Sequence, residues 1–247
     1  ELGPTLRKLV TAARFNPSLP YLSFLCINFD APVIKEAASW FLDGVFLNYN
    51  SSYLERALEQ MLDEADSPEV TRFLRAVDVR IDGFRVEKAP EGRGQRVFVR
   101  HDVDGKGYEL RLSEESAGTQ KLMGLAAFLL AALERGGTVV VDELDAKLHP
   151  KLLRYVILLF KDPEVNKSGA QLIFSSQDVS TMRNDVFRRD EIWFAARGEG
   201  EASQLWSLAD IHEANGNLVS KNAAFDKQYL SGRYGADPYL TRIEEWD

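Results

Sequence analysis

The feature that most constrains the fold is a run of four β-branched residues that ends in two adjacent carboxylates, Thr138-Val139-Val140-Val141-Asp142-Glu143. Such a run predicts a strand covered on both faces, because only then is every position free to be apolar. In an open α/β sheet, ligands bind in the crevice at the carboxyl ends of the strands. The run therefore indicates an α/β fold and makes Asp142 and Glu143 candidates for a functional site.

The two carboxylates suit different tasks in nucleotide chemistry. Asp142 can supply a hard oxygen ligand to a Mg²⁺ ion that bridges nucleotide phosphates. Glu143, one residue further on, points in another direction and can polarise an attacking water. A buried strand with a solvated acidic end is the alternative, and the run alone does not decide between the two.

A second candidate lies upstream, where Ser116-Ala117-Gly118-Thr119 precedes a long apolar stretch from Leu122 to Leu133. This position favours Ser116 as the N-cap of a helix. Small residues in the first turn leave the backbone N–H groups and the positive end of the helix dipole open to an anion. A plain N-cap before a core helix is the alternative.

The order of motifs resembles a known family. After the acidic pair come Leu144-Asp145-Ala146-Lys147-Leu148-His149-Pro150, an apolar helix over 151–160, a buried strand over 171–175 and Ser175-Ser176-Gln177-Asp178. This arrangement is similar to the C-terminal half of an ABC-type ATPase domain of the SMC-related branch. It most resembles the ATPase subunits of bacterial anti-phage systems of the abortive-infection, Septu and retron types. The ending from Gln228 to Ala236, with Pro238, supports that group, and the resemblance covers residues 110–240 well.

The resemblance implies the C-terminal lobe of an ABC-type P-loop NTPase fold, with ATP and Mg²⁺ as cofactors. Asp142 would then be the Walker B metal ligand, Glu143 the catalytic base, and Gln177 the switch residue.

The resemblance also implies a site shared between two subunits. Ser116, Gly118 and Thr119 would form the signature that contacts the γ-phosphate held by a partner subunit. Asp145 would belong to the loop, ending at His149, that crosses the interface between the two subunits.

The sequence departs from the family pattern in two places. The switch residue is usually His, and the Gln177 amide can donate a hydrogen bond but cannot carry a positive charge, which indicates slow turnover. A phosphate-binding Gly-x-x-x-x-Gly-Lys-Ser/Thr loop is also missing from the sequence. Gly105-Lys106-Gly107 fits a hairpin turn better. Since the chain opens at Glu1, we expect that an N-terminal piece carrying the phosphate loop precedes it.

The net charge of -8 argues against binding nucleic acid through bulk charge. Seven arginines between Arg72 and Arg100 leave a local groove open, with a solvated face as the alternative. Cys26 is the only cysteine, which excludes a disulfide framework and fits a reducing compartment. No apolar run approaches the ~20 residues that cross a membrane, so we expect a cytoplasmic protein without membrane contact.

Together with the resemblance, the pattern predicts three segments: a helical insertion and β meander over 1–113, a nucleotide-binding core over 114–210 and a docking tail over 211–247. Within these segments we expect helical structure over 1–49, helices over 52–77 on both sides of residues 67–68, and strands over 79–86, 96–100 and 108–112. Further on we expect a short helix over 179–187 and strands over 191–196 and 204–208, with Trp193 and Trp206 in the core. The tail either folds back on the domain or is presented to a partner.

The resemblance thus predicts an ATPase that binds and slowly hydrolyses ATP. Nucleotide would drive head-to-tail pairing of two such domains, and pairing would regulate an effector such as a nuclease or toxin in anti-phage defence. One alternative is a non-hydrolysing scaffold that holds an effector, which Gln177 favours. Another is a DNA-repair-type ATPase, which would need longer heptad segments than residues 52–77 provide.

Overall fold

The computed structural model describes residues 18–48, 68–77, 81–88, 95–197, 202–213 and 215–236. Its helices are α1 (Tyr21–Asn28), α2 (Pro32–Gly44), α3 (Pro68–Ala76), α4 (Ala117–Arg135), α5 (Pro150–Lys161) and α6 (Phe225–Leu230). Its strands are β1 (Val45–Asn48), β2 (Gly83–Lys88), β3 (Gln95–Val103), β4 (Lys106–Arg111), β5 (Thr138–Val141), β6 (Gln171–Phe174), β7 (Trp193–Arg197) and β8 (Ser203–Ser207).

A parallel sheet of order β1-β5-β6 positions the candidate site. The β-branched run forms the central strand, pairing Val141 with Asn48 on one side and with Phe174 on the other. Val139 and Val141 are fully or almost fully buried, as a strand between two layers requires. Since the strands are parallel, the residues that follow Val141 and Phe174 meet at one edge of the sheet.

The first strand is a correction to the helical structure expected for residues 1–49. Helix α2 follows the predicted pattern, but it ends at Gly44, and residues 45–48 pair with β5 instead of continuing the helix. Four residues, of which Val45, Phe46 and Leu47 are apolar, are too few for a periodicity that distinguishes a strand from a helix end, so the pairing partner decides. β1 therefore belongs to the same sheet as β5, although the predicted division placed them in different segments. That division at 113 and 210 stays a prediction.

The long apolar helix is confirmed as α4, and it is buried along most of its length. It begins after the N-cap Ser116 and ends at Gly136, which takes the left-handed conformation at φ 80°. A Cβ at Gly136 would overlap the carbonyl oxygen of Ser168. Helix α4 packs with α3, α5 and the parallel sheet in one hydrophobic core.

The predicted antiparallel meander is confirmed as β2-β3-β4. Its second hairpin turns at Asp104 and Gly105, which have φ values of 55° and 79°. Two residues with positive φ between paired strand ends, Val103 and Lys106, make a two-residue hairpin of the favoured type. The Gly105-Lys106-Gly107 sequence is thus explained by a turn. Of the helical segment expected before the meander, α3 is described and residues 51–67 lie outside the described residues.

The C-terminal part forms a second hydrophobic cluster on the β7–β8 hairpin. Phe225 is completely buried there, and the ring of Tyr234 lies 5.3 Å from the ring of Phe194. Trp206 donates a hydrogen bond to the Tyr234 carbonyl oxygen at 3.1 Å, as a half-buried indole should. The described part of the tail, up to residue 236, is therefore folded back on the domain.

Two expectations for this part are wrong. Trp193 is 56% exposed, because β7 buries its alternate face through Phe194. Residues 179–187 form turns instead of a helix, with Met182 bonded to Val179 and Phe187 to Arg183 through their backbones. None of the helices in the described ranges is long and apolar enough to cross a membrane.

The buried position of Phe225 gives a test of the folded tail. Phe225→Ala should lower the free energy of unfolding by about 3 to 5 kcal/mol, because it leaves a cavity in a packed cluster. Leu230→Ala, in the same helix but 69% exposed, is the matched control and should change it little. Urea unfolding followed by tryptophan fluorescence measures both. Equal effects of the two substitutions would contradict a tail that is anchored by Phe225.

Candidate functional site

The site is built where the ladder between β5 and β6 continues one residue beyond the strands. The backbone N–H of Ser175 donates to the Val141 carbonyl at 3.1 Å, and the Ser175 carbonyl accepts from Leu144 at 3.0 Å. The Ser175 hydroxyl donates to Oδ1 of Asp142 and accepts from the Glu143 backbone N–H at 2.8 Å. One serine therefore contacts both members of the acidic pair.

Glu143 has a left-handed backbone, with φ at 49°. An L-residue with a long side chain pays about 1 kcal/mol for this conformation, so neighbouring contacts must hold it. Its N–H and its carbonyl are both hydrogen-bonded, and the next residue, Leu144, is completely buried. Its side chain is exposed at the carboxyl edge of the sheet. The fold thus fixes the backbone of Glu143 and presents its carboxylate to solvent.

The loop from Asp142 to His149, named here the acidic loop, reverses the chain from β5 into α5. Its turns close through hydrogen bonds from Ala146 to the Glu143 carbonyl and from Leu148 to the Asp145 carbonyl, both 3.0 Å. Lys147 is a second left-handed residue, at φ 65°. His149 ends the loop as the N-cap of α5 and accepts a hydrogen bond from the Lys151 backbone at Nδ1.

Asp145 connects the acidic loop to the segment after β6. Its Oδ2 accepts a hydrogen bond from the Gln177 backbone N–H at 3.2 Å. Its Oδ1 is buried and has no hydrogen-bond partner among the described residues. Gln177 itself is exposed. The structure therefore brings Gln177 beside the acidic loop through its backbone, independently of which side chain it carries.

The first turn of α4 lies against the acidic loop. Ser116 caps the helix by accepting the Thr119 N–H at 3.1 Å, and its hydroxyl lies 2.8 Å from that of Thr119. A Cβ added to Gly118 would stand 2.9 Å from the Lys147 carbonyl oxygen, closer than real Cβ contacts come. Gly118 is thus required for close approach. Ser116, Gly118 and Thr119 are brought together with the loop that carries Glu143 and Asp145.

Lys121, which sequence reasoning missed, forms the other contact between α4 and the acidic loop. Its ammonium group donates to the Glu143 carbonyl at 2.5 Å and to the Ala146 carbonyl at 2.9 Å. Burial lowers the pKa of Lys121, while the carboxylates of Asp145 and Glu143 act in the opposite direction. The signal was available, because Lys121 is the single charged residue between Ser116 and Glu134 in an otherwise apolar helix.

The described residues contain no group of three or more His, Cys, Asp or Glu side chains that could enclose a metal ion. His101 contacts the Glu115 carboxylate at 2.6 Å, so this imidazole joins the meander to the residue before Ser116. Asp142 remains the candidate metal ligand. Mg²⁺ in nucleotide sites is commonly held by one or two carboxylates together with phosphate oxygens and water. A single exposed carboxylate beside a serine hydroxyl fits that type of site.

A parallel sheet with an acidic pair at its carboxyl edge, flanked by a buried helix with an exposed capped N-terminus, defines an α/β domain with a candidate nucleotide site. Residues 14–183 match the family described as "AAA domain, putative AbiEii toxin, Type IV TA system". Since this is more than half of the chain, the chain belongs to that family. No curated protein matches the chain.

Among solved structures, similarity extends to an SMC ATPase and to two Smc head structures, each at 15% identity. One comes from work on ATP-driven dimerization and DNA-stimulated activation of SMC ATPases, with a TM-score of 0.38, covering 64% of this chain and 89% of that one. A second is an Smc head domain with a coiled coil and joint from Pyrococcus yayanosii. Its TM-score is 0.38, and the match covers 74% of this chain and 29% of that one. A third is an Smc head bound to the C-winged helix domain of ScpA. Its TM-score is 0.35, and the match covers 72% of this chain and 47% of that one. This chain therefore spans less than half the length of the second and third structures.

The left-handed backbone of Glu143 predicts an unusual order of stability. Glu143→Gly should be about 1 kcal/mol more stable than Glu143→Ala, because glycine adopts a positive φ without steric cost. At an ordinary loop position alanine is the more stable of the two, since glycine gains entropy in the unfolded chain. Urea unfolding of the two variants measures the difference. A more stable alanine variant would contradict the backbone conformation described for Glu143.

The close approach at Gly118 predicts that the usual stability order of alanine and glycine in a helix is reversed at this position. Alanine normally stabilises a helix by about 1 kcal/mol relative to glycine. Gly118→Ala should instead be destabilising, because its methyl group meets the Lys147 carbonyl. Gly107→Ala is the control, since a Cβ there meets nothing within 4 Å. Thermal unfolding compares the two variants. If Gly118→Ala raises the melting temperature, α4 does not lie against the acidic loop as described.

Proposed function

We propose that this chain belongs to an ATPase that binds ATP with Mg²⁺ and hydrolyses it slowly. The observation that carries the proposal is the geometry of the acidic pair. Asp142 and Glu143 follow the central strand of a parallel sheet, where Ser175 fixes Asp142 and the Glu143 backbone. This is the edge at which α/β folds bind nucleotides. Membership of an AAA family supports the proposal of an ATPase.

The residues fit a magnesium nucleotide in three respects. Asp142 offers a hard oxygen, with its other oxygen oriented by Ser175. The N-terminus of α4, a helix of 19 residues, has an exposed cap at Ser116 that suits a phosphate. The metal ion, when bound, neutralises charge on the phosphates. Glu143, with its carboxylate exposed and its backbone fixed, would accept a proton from the attacking water.

We further propose that two such domains pair head to tail, with Ser116, Gly118 and Thr119 of each contacting the γ-phosphate bound by the other. Asp145 and the acidic loop would then lie at the interface. A nucleotide stabilises the pair only as far as it binds the closed state better than the open one. Such pairing would restrain or license an effector, for example a nuclease or toxin, in anti-phage defence. The family description, which names an AbiEii toxin and a toxin-antitoxin system, supports that context.

Gln177 favours a second candidate function, a scaffold that holds an effector without hydrolysis. An exposed amide at this position can donate to a phosphate but cannot become positively charged. The acidic loop would keep its shape in such a scaffold, because Asp145 accepts its hydrogen bond from the Gln177 backbone N–H and not from the Gln177 side chain. Retention of Glu143 favours the enzyme, and turnover decides between the two.

ATP turnover by the full-length polypeptide tests these functions. Glu143→Gln should lower turnover by roughly 100-fold or more and trap an ATP-bound dimer, because proton abstraction is lost while binding is kept. Gln177→His should raise turnover. Phosphate release and light scattering, with and without Mg²⁺, measure rate and dimerisation in the same samples.

Matched controls are Glu134→Gln, at the far end of α4, and Gln204→His, in β8; both side chains are exposed and should leave turnover unchanged. If Glu143→Gln hydrolyses ATP as fast as the parent, Glu143 is not the base. If the parent shows no hydrolysis and its oligomeric state ignores ATP, the scaffold function replaces the enzyme.

A further inference from the structure

We propose that Lys121 is a positioning residue for Glu143, holding the backbone of the acidic loop so that the Glu143 carboxylate stands where the reaction needs it. The inference deepens the proposed function and rests on it. Lys121 belongs to α4, the helix that carries the signature residues, whereas Glu143 belongs to the loop after β5. Its role would connect these two parts of the site within one chain.

The contacts are specific to the backbone. The Lys121 ammonium group donates to the carbonyls of Glu143 and Ala146, three residues apart in the loop. These carbonyls frame a turn, since the Ala146 N–H also donates to the Glu143 carbonyl at 3.0 Å. Hydrogen bonds from a charged donor are stronger than neutral ones. A single side chain therefore clamps both ends of the turn.

The clamp acts on the residue whose conformation most needs support. Glu143 is left-handed, and its backbone is held from one side by Ser175 through the N–H and from the other by Lys121 through the carbonyl. Without Lys121 the Glu143 carbonyl keeps only the hydrogen bond from the Ala146 N–H, which lies within the same turn, and no contact from α4 holds it. Because a left-handed conformation is strained for glutamate, the residue would then relax toward negative φ. That rotation would move the Cα–Cβ bond and hence the carboxylate.

The position of Lys121 also explains how the first turn of α4 could affect Glu143. Gly118 lies one turn before Lys121 in α4, and it touches the same loop at the Lys147 carbonyl. α4 is a continuous, largely buried helix, so a displacement of its first turn displaces both contacts together. A phosphate or a partner subunit that binds at Ser116 and displaces this turn would thus also displace the backbone of Glu143. Lys121 transmits this displacement because it bridges the helix and the loop.

The first experiment is independent of nucleotide. Lys121→Met keeps the length of the side chain and removes its donors, and Lys121→Arg keeps a charged donor. Amide hydrogen exchange of the nucleotide-free full-length protein should be about tenfold faster across residues 143–148 in Lys121→Met. Lys121→Arg should restore most of the protection. Lys167→Met is the control, since Lys167 is exposed and precedes the amino end of β6. Unchanged exchange in Lys121→Met overturns the proposal.

The second experiment asks whether the held conformation serves catalysis. Lys121→Met should lower kcat by roughly 10- to 100-fold with KM nearly unchanged, because misplacing a catalytic group affects the chemical step. In a Glu143→Gln background the same substitution should change the residual rate little, since the carboxylate it positions is gone. A general structural defect would lower both rates equally. Additive losses, or a kcat that stays at the parent value, therefore overturn the positioning role.

The two experiments separate the two claims. If the parent protein does not hydrolyse ATP, the proposed function fails and the catalytic role of Lys121 fails with it. Faster exchange in Lys121→Met would still show in that case that Lys121 holds the acidic loop. If the parent hydrolyses ATP and Lys121→Met behaves like Lys167→Met in both assays, the proposed function stands and Lys121 has no part in it.

Discussion

The site depends on the extension of the β5–β6 ladder through Ser175. Parallel pairing alone would bring Asp142 and Ser175 to the same edge, but it would not orient their side chains. The backbone bonds from Ser175 to Val141 and from Leu144 to Ser175 continue the ladder past both strands. Its hydroxyl is thereby fixed between the Asp142 carboxylate and the Glu143 N–H. An alanine here could continue the ladder but would leave both groups without that partner.

The acidic loop solves a geometric problem that follows from this arrangement. The chain must turn from a buried strand into α5 within eight residues while two of its acids stay at the sheet edge. Left-handed residues at Glu143 and Lys147 make the sharp turns, and each costs about 1 kcal/mol. The buried Leu144 and the contacts of Lys121 and Gly118 oppose that strain. Strain at a site residue held from several sides is typical of preorganised functional sites.

Much of the fold could be predicted from the sequence, because residue type and spacing along the chain indicate these elements locally. The buried central strand, helix α4 with its Ser116 cap and the Asp104-Gly105 hairpin each follow from residue type and spacing. The features that were missed depend on distant contacts. β1 is a strand only because β5 lies beside it, and residues 179–187 have a helix-like pattern but close as turns.

Some features of the candidate site could likewise be predicted from the sequence, and others could not. The residue types of Asp142 and Glu143 indicate nucleotide chemistry, whereas the left-handed φ of Glu143 leaves no mark in the sequence, since glutamate is not a residue that favours it. Lys121 is visible in the sequence, because it is the single charged residue between Ser116 and Glu134. Only the three-dimensional arrangement shows that it is directed at two carbonyls of the acidic loop.

The attachment of Gln177 shows how such a site can change its chemistry without changing its shape. Asp145 accepts from the backbone N–H of residue 177, so the position of this segment does not depend on the side chain there. A histidine and a glutamine at 177 would start from the same backbone. They would differ in their capacity to become charged near a phosphate. The backbone of the loop is therefore the same for either residue, and in the proposed ATPase the side chain at 177 would change only the charge available near the phosphate.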